Sequence, residues 1–248
     1  MERYSWSDIF LINDMTALAM GIPQLGDDDI VELKGGIRQP EGTIAVIAPG
    51  TGLGQGYLVP HGESYIFKGS EGGHSGFAPA NEDELHLTRW LWQNYGYASA
   101  EQVCAGPAIA TLYKYYQEKK EIKGDDAIAR KVAMADDATP VIVSGAISAD
   151  PCPLCSQVVQ TFIRTLGGEA ANQALKLYAL GGVYIGGGVV GHLLGRVSFE
   201  PFIERFLQKE KMRELLTTIP VYIIKNSDVL MLGALQHAKD KIGINKSS

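Results

Sequence analysis

The segment from Ile44 to Val59 constrains the fold more than any other. Ile44 to Ile47 reads as a buried strand, and Tyr57-Leu58-Val59 as a second. Between them lies a glycine-dense turn, Ala48-Pro49-Gly50-Thr51-Gly52-Leu53-Gly54. A Rossmann fingerprint or a Walker P-loop must run from its glycines into a helix, and the Walker form also needs Gly-Lys-Ser/Thr. Neither condition is met, so both nucleotide folds are disfavoured. Glycines at 50, 52, 54 and 56 are more than a hairpin turn needs. They admit positive φ and let a ligand approach the backbone closely. Thr51 adds a hydroxyl donor for a phosphoryl oxygen. The segment therefore reads as a turn that lays N–H groups against phosphate.

Further on, Glu71 and His74 flank Gly72-Gly73. Sugar hydroxyls both donate and accept, so their sites favour carboxylates and imidazoles. Metal ligation is the weaker reading, because one His and one carboxylate have no third ligand at a suitable spacing. A plain surface turn is the simplest alternative. Phosphate turn and polyol-sized cluster together point to phosphoryl transfer to a sugar.

Asn13-Asp14 falls where Ile9-Phe10-Leu11-Ile12, read as a short buried strand, hands over to a helix from Met15 to Met20. A carboxylate at a helix N-terminus is held charged by the dipole and the free N–H groups. That suits a general base taking a hydroxyl proton during phosphoryl transfer. Asp as a simple N-cap is the competing reading. Gly186-Gly187-Gly188 closes the strand Val183-Tyr184-Ile185 at a strand-to-helix junction, a place where nucleotides meet backbone. Close packing explains those glycines equally well. Glu101 reads locally as a first-turn acid of a helix capped by Ser99.

Elsewhere helices are expected over Asn81 to Tyr95, Pro107 to Tyr116, Cys155 to Leu180, Val189 to Leu194, Phe202 to Leu207 and Leu232 to Lys241. Val221 to Ile224 is a further strand. Asn81 caps the first of these helices, with Glu84 three residues on and Gly96 as the stop. Leu85, Trp90 and Leu91 should lie on or near its apolar face, widened by Leu87 and Trp92. Gly167-Gly168 either admits a close neighbour or bends its helix. The mixture predicts an α/β protein.

With 248 residues the chain can bury a substantial core, and a net charge of −6 leaves no basic footprint for nucleic acid. Asp27-Asp28-Asp29 reads as a solvated loop. The three cysteines, Cys104, Cys152 and Cys155, do not resemble a secreted disulfide framework, and the lone CxxC reads as structural thiols. Met1 to Trp6 lack a signal-peptide pattern, and no apolar run is long enough to span a membrane. A cytoplasmic protein with no membrane partner is expected.

Taken in order, these segments resemble the bacterial-type glucokinase family of the sugar-kinase, actin and Hsp70 superfamily. The resemblance rests on Phe10-Leu11-Ile12-Asn13-Asp14, Ala45 to Gly54, Glu71-Gly72-Gly73-His74 with Phe77-Ala78-Pro79, and Ser99-Ala100-Glu101-Gln102-Val103. It continues through Gly181 to Val190 and Ile219-Pro220-Val221-Tyr222, so nearly the whole chain is covered. It implies an actin-like ATPase (ribonuclease H-like) fold that phosphorylates glucose with ATP and Mg²⁺. Asp14 would be the base, Asn13, Glu71, His74 and Glu101 would hold other hydroxyls, and Gly50, Thr51, Gly52 and Gly54 would meet the transferring phosphate. Gly186, Gly187 and Gly188 would border the adenosine, and domain closure would exclude water.

The family's opening Asp-x-Gly-Gly-Thr motif does not occur here, and Ala105-Gly106-Pro107-Ala108 stands where relatives often carry Ser-Gly-Pro-Gly. The expectation is therefore a large domain, 26–227, with a remnant of the small one made from 1–25 and a returning C-terminal segment, 228–248. The uncovered apolar segment at Ile9 to Ile12 would favour self-association as a homodimer. The alternatives are a catalytically impaired sugar-binding remnant or regulator, and a hexokinase of other sugar preference. A dinucleotide-dependent enzyme is disfavoured by the strand after Gly54.

Overall fold

The computed structural model describes residues 9–62 and 64–242. Met1 to Trp6 lie outside them, as does the end of the 228–248 segment. One sheet organises the molecule. Its strands are β1 (Ile30–Lys34), β2 (Ile44–Pro49), β3 (Leu53–His61), β4 (Ser64–Ser70), β5 (Val183–Ile185) and β6 (Val221–Ile224), in the order β1-β6-β5-β2-β3-β4. The central pairs β2–β5 and β5–β6 are parallel; β1–β6, β2–β3 and β3–β4 are antiparallel.

Side chains alternate across a strand, so a strand covered on both faces is apolar throughout. In β2, Ala45 and Ile47 face the larger core, while Ile44 and Val46 face a smaller one on the other side. Tyr184 of β5 divides from Val183 and Ile185 in the same way.

The larger face is covered chiefly by α2 (Glu82–Tyr95), α3 (Glu101–Cys104), α4 (Ala108–Lys119), α5 (Asp126–Met134), α6 (Thr139–Ile147), α7 (Pro153–Leu177), α8 (Gly188–Leu193), α9 (Glu200–Leu207) and α10 (Arg213–Thr218). The central helix α7 is unbroken over 25 residues, so Gly167-Gly168 serve close packing rather than a bend. A Cβ on Gly167 would collide with the Phe202 carbonyl oxygen of α9. The smaller face is covered by α1 (Asp14–Gly21) and α11 (Val229–Lys241), which meet backbone to backbone at Gly21 and Gly233.

Three expectations change. Ile9 to Ile12 is irregular rather than a buried strand: the segment pairs with no strand of the sheet, Leu11 is 96% exposed, and Phe10 sets its ring edge-on to His237. In α2 the buried stripe is Glu84, Leu87, Thr88 and Leu91, an i, i+3, i+4, i+7 set that leaves Trp92 exposed. The helix expected over Cys155 to Leu180 runs instead from Pro153 to Leu177, because Tyr178 takes the left-handed cap, with φ 49°. The three thiols are free and buried, and burial, together with the hydrogen bond that the Cys155 S–H donates to Cys152, pushes the Cys155 thiol up to about 12.

Candidate active site

The parallel strands β2, β5 and β6 end side by side at Pro49, Ile185 and Ile224, and the chain leaves them at Gly50, Gly186 and Lys225. Ligands of open α/β sheets bind beyond such carboxyl ends. A cavity of about 1030 Å³ opens there, and it is lined by all twelve candidate residues: Asn13, Asp14, Gly50, Thr51, Gly52, Gly54, Glu71, His74, Glu101, Gly186, Gly187 and Gly188.

Asn13, not Asp14, is the N-cap of α1. Its Oδ1 accepts from Met15 N at 2.9 Å and Thr16 N at 3.4 Å. Asp14 is the first helical residue, solvent-exposed, with Oδ1 accepting from Met15 N at 2.8 Å. Met15 packs onto Gly54, where a Cβ would strike its sulfur. That missing side chain lets the start of α1 settle against the turn and puts Asp14 at the cavity wall.

The turn between β2 and β3 is a hairpin as well as a cavity wall, since Pro49 pairs with Leu53. The expected positive φ is absent from Gly50, Gly52 and Gly54. Their value is close approach: Gly52 leaves room for the Glu101 carboxylate, and Gly54 for Met15. Gly50 N–H donates to the Gly52 carbonyl at 2.8 Å, and the Gly50 carbonyl accepts from Gly106 N at 2.9 Å. The N–H groups of Thr51 and Gly52 have no acceptor among the described residues. The left-handed glycine is Gly187, φ 103°, which passes so close to the Pro49 carbonyl that no side chain fits.

Glu71 to His74 forms a 3₁₀ turn after β4, with His74 N donating to the Glu71 carbonyl at 3.1 Å. Ala100 N–H donates to the Ser75 carbonyl at 2.9 Å and so brings the α3 start alongside. Ser99 and Gln102 cap that start reciprocally: Ser99 N–H donates to Gln102 Oε1 at 2.8 Å, and Ser99 Oγ accepts from Gln102 N at 3.4 Å. The Glu101 carboxylate then spans two loops. Oε2 accepts from Leu53 N at 2.9 Å, and Oε1 lies 3.8 Å from His74 Nδ1.

Sequence reasoning missed Gln55, Lys225 and Asn226, which also line the cavity. Lys225 is the one Lys or Arg among the described residues there. Asp29 is no merely solvated acid: Oδ1 accepts from Asn226 Nδ2 at 2.9 Å, and its carbonyl accepts from Lys225 N at 2.8 Å. Lys225 and Asn226 follow an ordinary strand without a glycine motif, so the signal available was position at the end of β6, whereas Gln55 lies within β3 between Gly54 and Gly56.

The family model described as Glucokinase matches residues 1–241. Over 237 residues the chain is 39% identical to a glucokinase of Nostoc sp., covering 91% of this chain and 69% of the relative. Glucokinase from an Antarctic psychrotroph superposes with a TM-score of 0.76 at 30% identity, over 92% of this chain and 68% of the other. Glucokinase from Balamuthia mandrillaris, solved in complex with glucose, superposes with a TM-score of 0.71 at 17% identity, covering 91% and 64% of the two chains, a likeness of fold. The chain thus spans about two thirds of the length of the proteins it matches.

Proposed function

The chain belongs to the glucokinase family, whose reaction is ATP-dependent phosphorylation of glucose to glucose 6-phosphate, and from that premise we propose that Asp14 is its general base. The observation that carries this reading is the convergence of Asp14, the Glu71–His74 turn, Glu101 and the glycine turn on one cavity.

Asp14 accepts the proton of the 6-hydroxyl as that oxygen bonds to the γ-phosphorus and the bond to the ADP oxygen breaks. Asn13, with its Oδ1 committed to the cap, keeps its amide Nδ2 as a donor for a hydroxyl. Glu71, His74 and Glu101 supply acceptors and an imidazole for the remaining hydroxyls. The Thr51 hydroxyl and the N–H groups of Thr51 and Gly52 meet the transferring phosphate, as backbone nests do. Lys225 adds positive charge to a cavity that otherwise carries the carboxylates of Asp14, Glu71 and Glu101. Gly186 to Gly188 border the adenosine. Mg²⁺ would be held by the phosphates of ATP and would supply further charge neutralisation there, since among the described residues no cluster of three His, Cys, Asp or Glu side chains is grouped to ligate it.

Glucose-dependent ADP release, measured against mannose, fructose and glucosamine, tests the reading. Glucose should give the highest kcat/KM, because a sugar lacking one matched hydroxyl leaves polar groups unpaired. Binding of glucose without ADP release would favour a sugar-binding protein instead.

A further inference from the structure

Beneath the Glu71–His74 turn runs a line of polar side chains that takes no part in the steps above. Gln55 of β3 lines the cavity but is 4% exposed. Its Nε2 donates to Glu169 Oε1 at 2.9 Å, inside the core. Glu169, on α7, accepts at its other oxygen from Asn172 Nδ2 at 3.0 Å, and Asn172 in turn accepts from Lys209 Nζ. Burying such groups costs free energy unless each is paired, so a network like this specifies one arrangement of its members.

The arrangement has a direction. A carboxylate accepts and does not donate, so Glu169 must face the amide nitrogen of Gln55, not its oxygen. Gln55 Oε1 is thereby turned away from the core and toward Gly72. A Cβ on Gly72 would collide with that oxygen, and one on Gly73 would collide with the Leu53 carbonyl. Residues 53 and 55 share one face of the strand, so the two glycines of the turn are seated on consecutive positions of the same β3 face. No donor among the described residues pairs with Oε1, which leaves it available at the cavity floor.

We infer that Gln55 and Glu169 are positioning residues for the sugar site: Glu169 fixes the amide of Gln55, and Gln55 sets the height and tilt of the turn that carries Glu71 and His74. This rests on the proposed reading of that turn as the sugar-holding element. Gln55 and Glu169 set glucose affinity, while ATP affinity and the chemical step at Asp14 are left nearly unchanged.

Steady-state kinetics of Gln55→Leu, Glu169→Leu and Glu169→Gln test it, with thermal denaturation alongside. Leu at 55 keeps the bulk and removes the amide. Gln at 169 can still accept from Gln55 through its own oxygen and should rescue. The expected result is a glucose KM raised about tenfold in both Leu variants and less than about threefold in Glu169→Gln, with kcat and the ATP KM within about threefold throughout. If Glu169→Leu does not fold, Gln55→Leu decides by itself. An unchanged glucose KM in Gln55→Leu, or a loss spread equally over both substrates, overturns the inference. Wild-type protein without glucose-dependent ADP release would instead remove the functional reading, a result visible before any variant is compared.

Discussion

Glu101 Oε2 accepts the backbone N–H of Leu53 at 2.9 Å, tying the first turn of α3 to the glycine turn 48 residues earlier in the chain. Its other oxygen lies 3.8 Å from His74 Nδ1, so one carboxylate is shared by the proposed phosphate and sugar elements. Glu101→Ala should therefore raise KM for both ATP and glucose, by roughly tenfold each, whereas His74→Ala should raise the glucose value alone. Initial-rate measurements with each substrate varied in turn distinguish the two patterns.

Lys225 predicts the opposite selectivity. On the proposed reading its charge would meet the phosphates of ATP, so Lys225→Met should raise the ATP KM by about three- to tenfold and leave glucose within about twofold. The wild-type ATP KM should also rise with added salt more steeply than that of the variant.

Glu84 is a prediction about stability. Its carboxylate is buried between Arg205, at 3.4 Å, and Arg164, at 3.3 Å, and it also accepts from Ala80 N at 2.8 Å. Glu84→Gln leaves the Arg205 guanidinium buried without its counter-charge, a change that costs about 3 kcal/mol. For a chain of this size Tm should fall by roughly 6–12 °C, read by thermal circular dichroism.

Alkaline pH should destabilise the fold through groups kept neutral by burial. The Cys155 thiol and the Tyr184 and Tyr113 hydroxyls are each pushed up to about 12, from ordinary values of 9.0 and 10.0. Above pH 9 the unfolded chain begins to release protons that the folded chain still holds. Stability conferred by these groups is complete below pH 9 and is lost as pH rises toward 12. Urea midpoints measured from pH 8 to 11 should fall continuously. Cys155→Ala should flatten the first part of that decline.

Local punctuation made much of this readable from residues alone. Asn81, Glu84 and Gly96 bound α2 as their capping roles require, and the glycine turn sits between β2 and β3 as its flanking apolar runs demand. The pairing of Glu84 with Arg205 was invisible, since nothing in the first turn of α2 points to a partner 121 residues away. Strand β4, Ser64–Ser70, was missed because it is an edge strand whose exposed positions carry no apolar alternation. Asp14 was legible as a helix-start acid, but the packing of Met15 on Gly54 that brings it to the cavity was not. Ile9 to Ile12 misled because apolarity marks a strand only where a neighbouring strand is present to pair with it.

The most direct test of the central claim is single-turnover phosphoryl transfer from Mg-ATP to glucose by wild type and Asp14→Ala, with glucose affinity measured by calorimetry on both. Asp14 as general base predicts a rate lower by roughly 10²–10⁴ in the variant, with glucose affinity changed by less than about tenfold. Equal rates in the two proteins would contradict it.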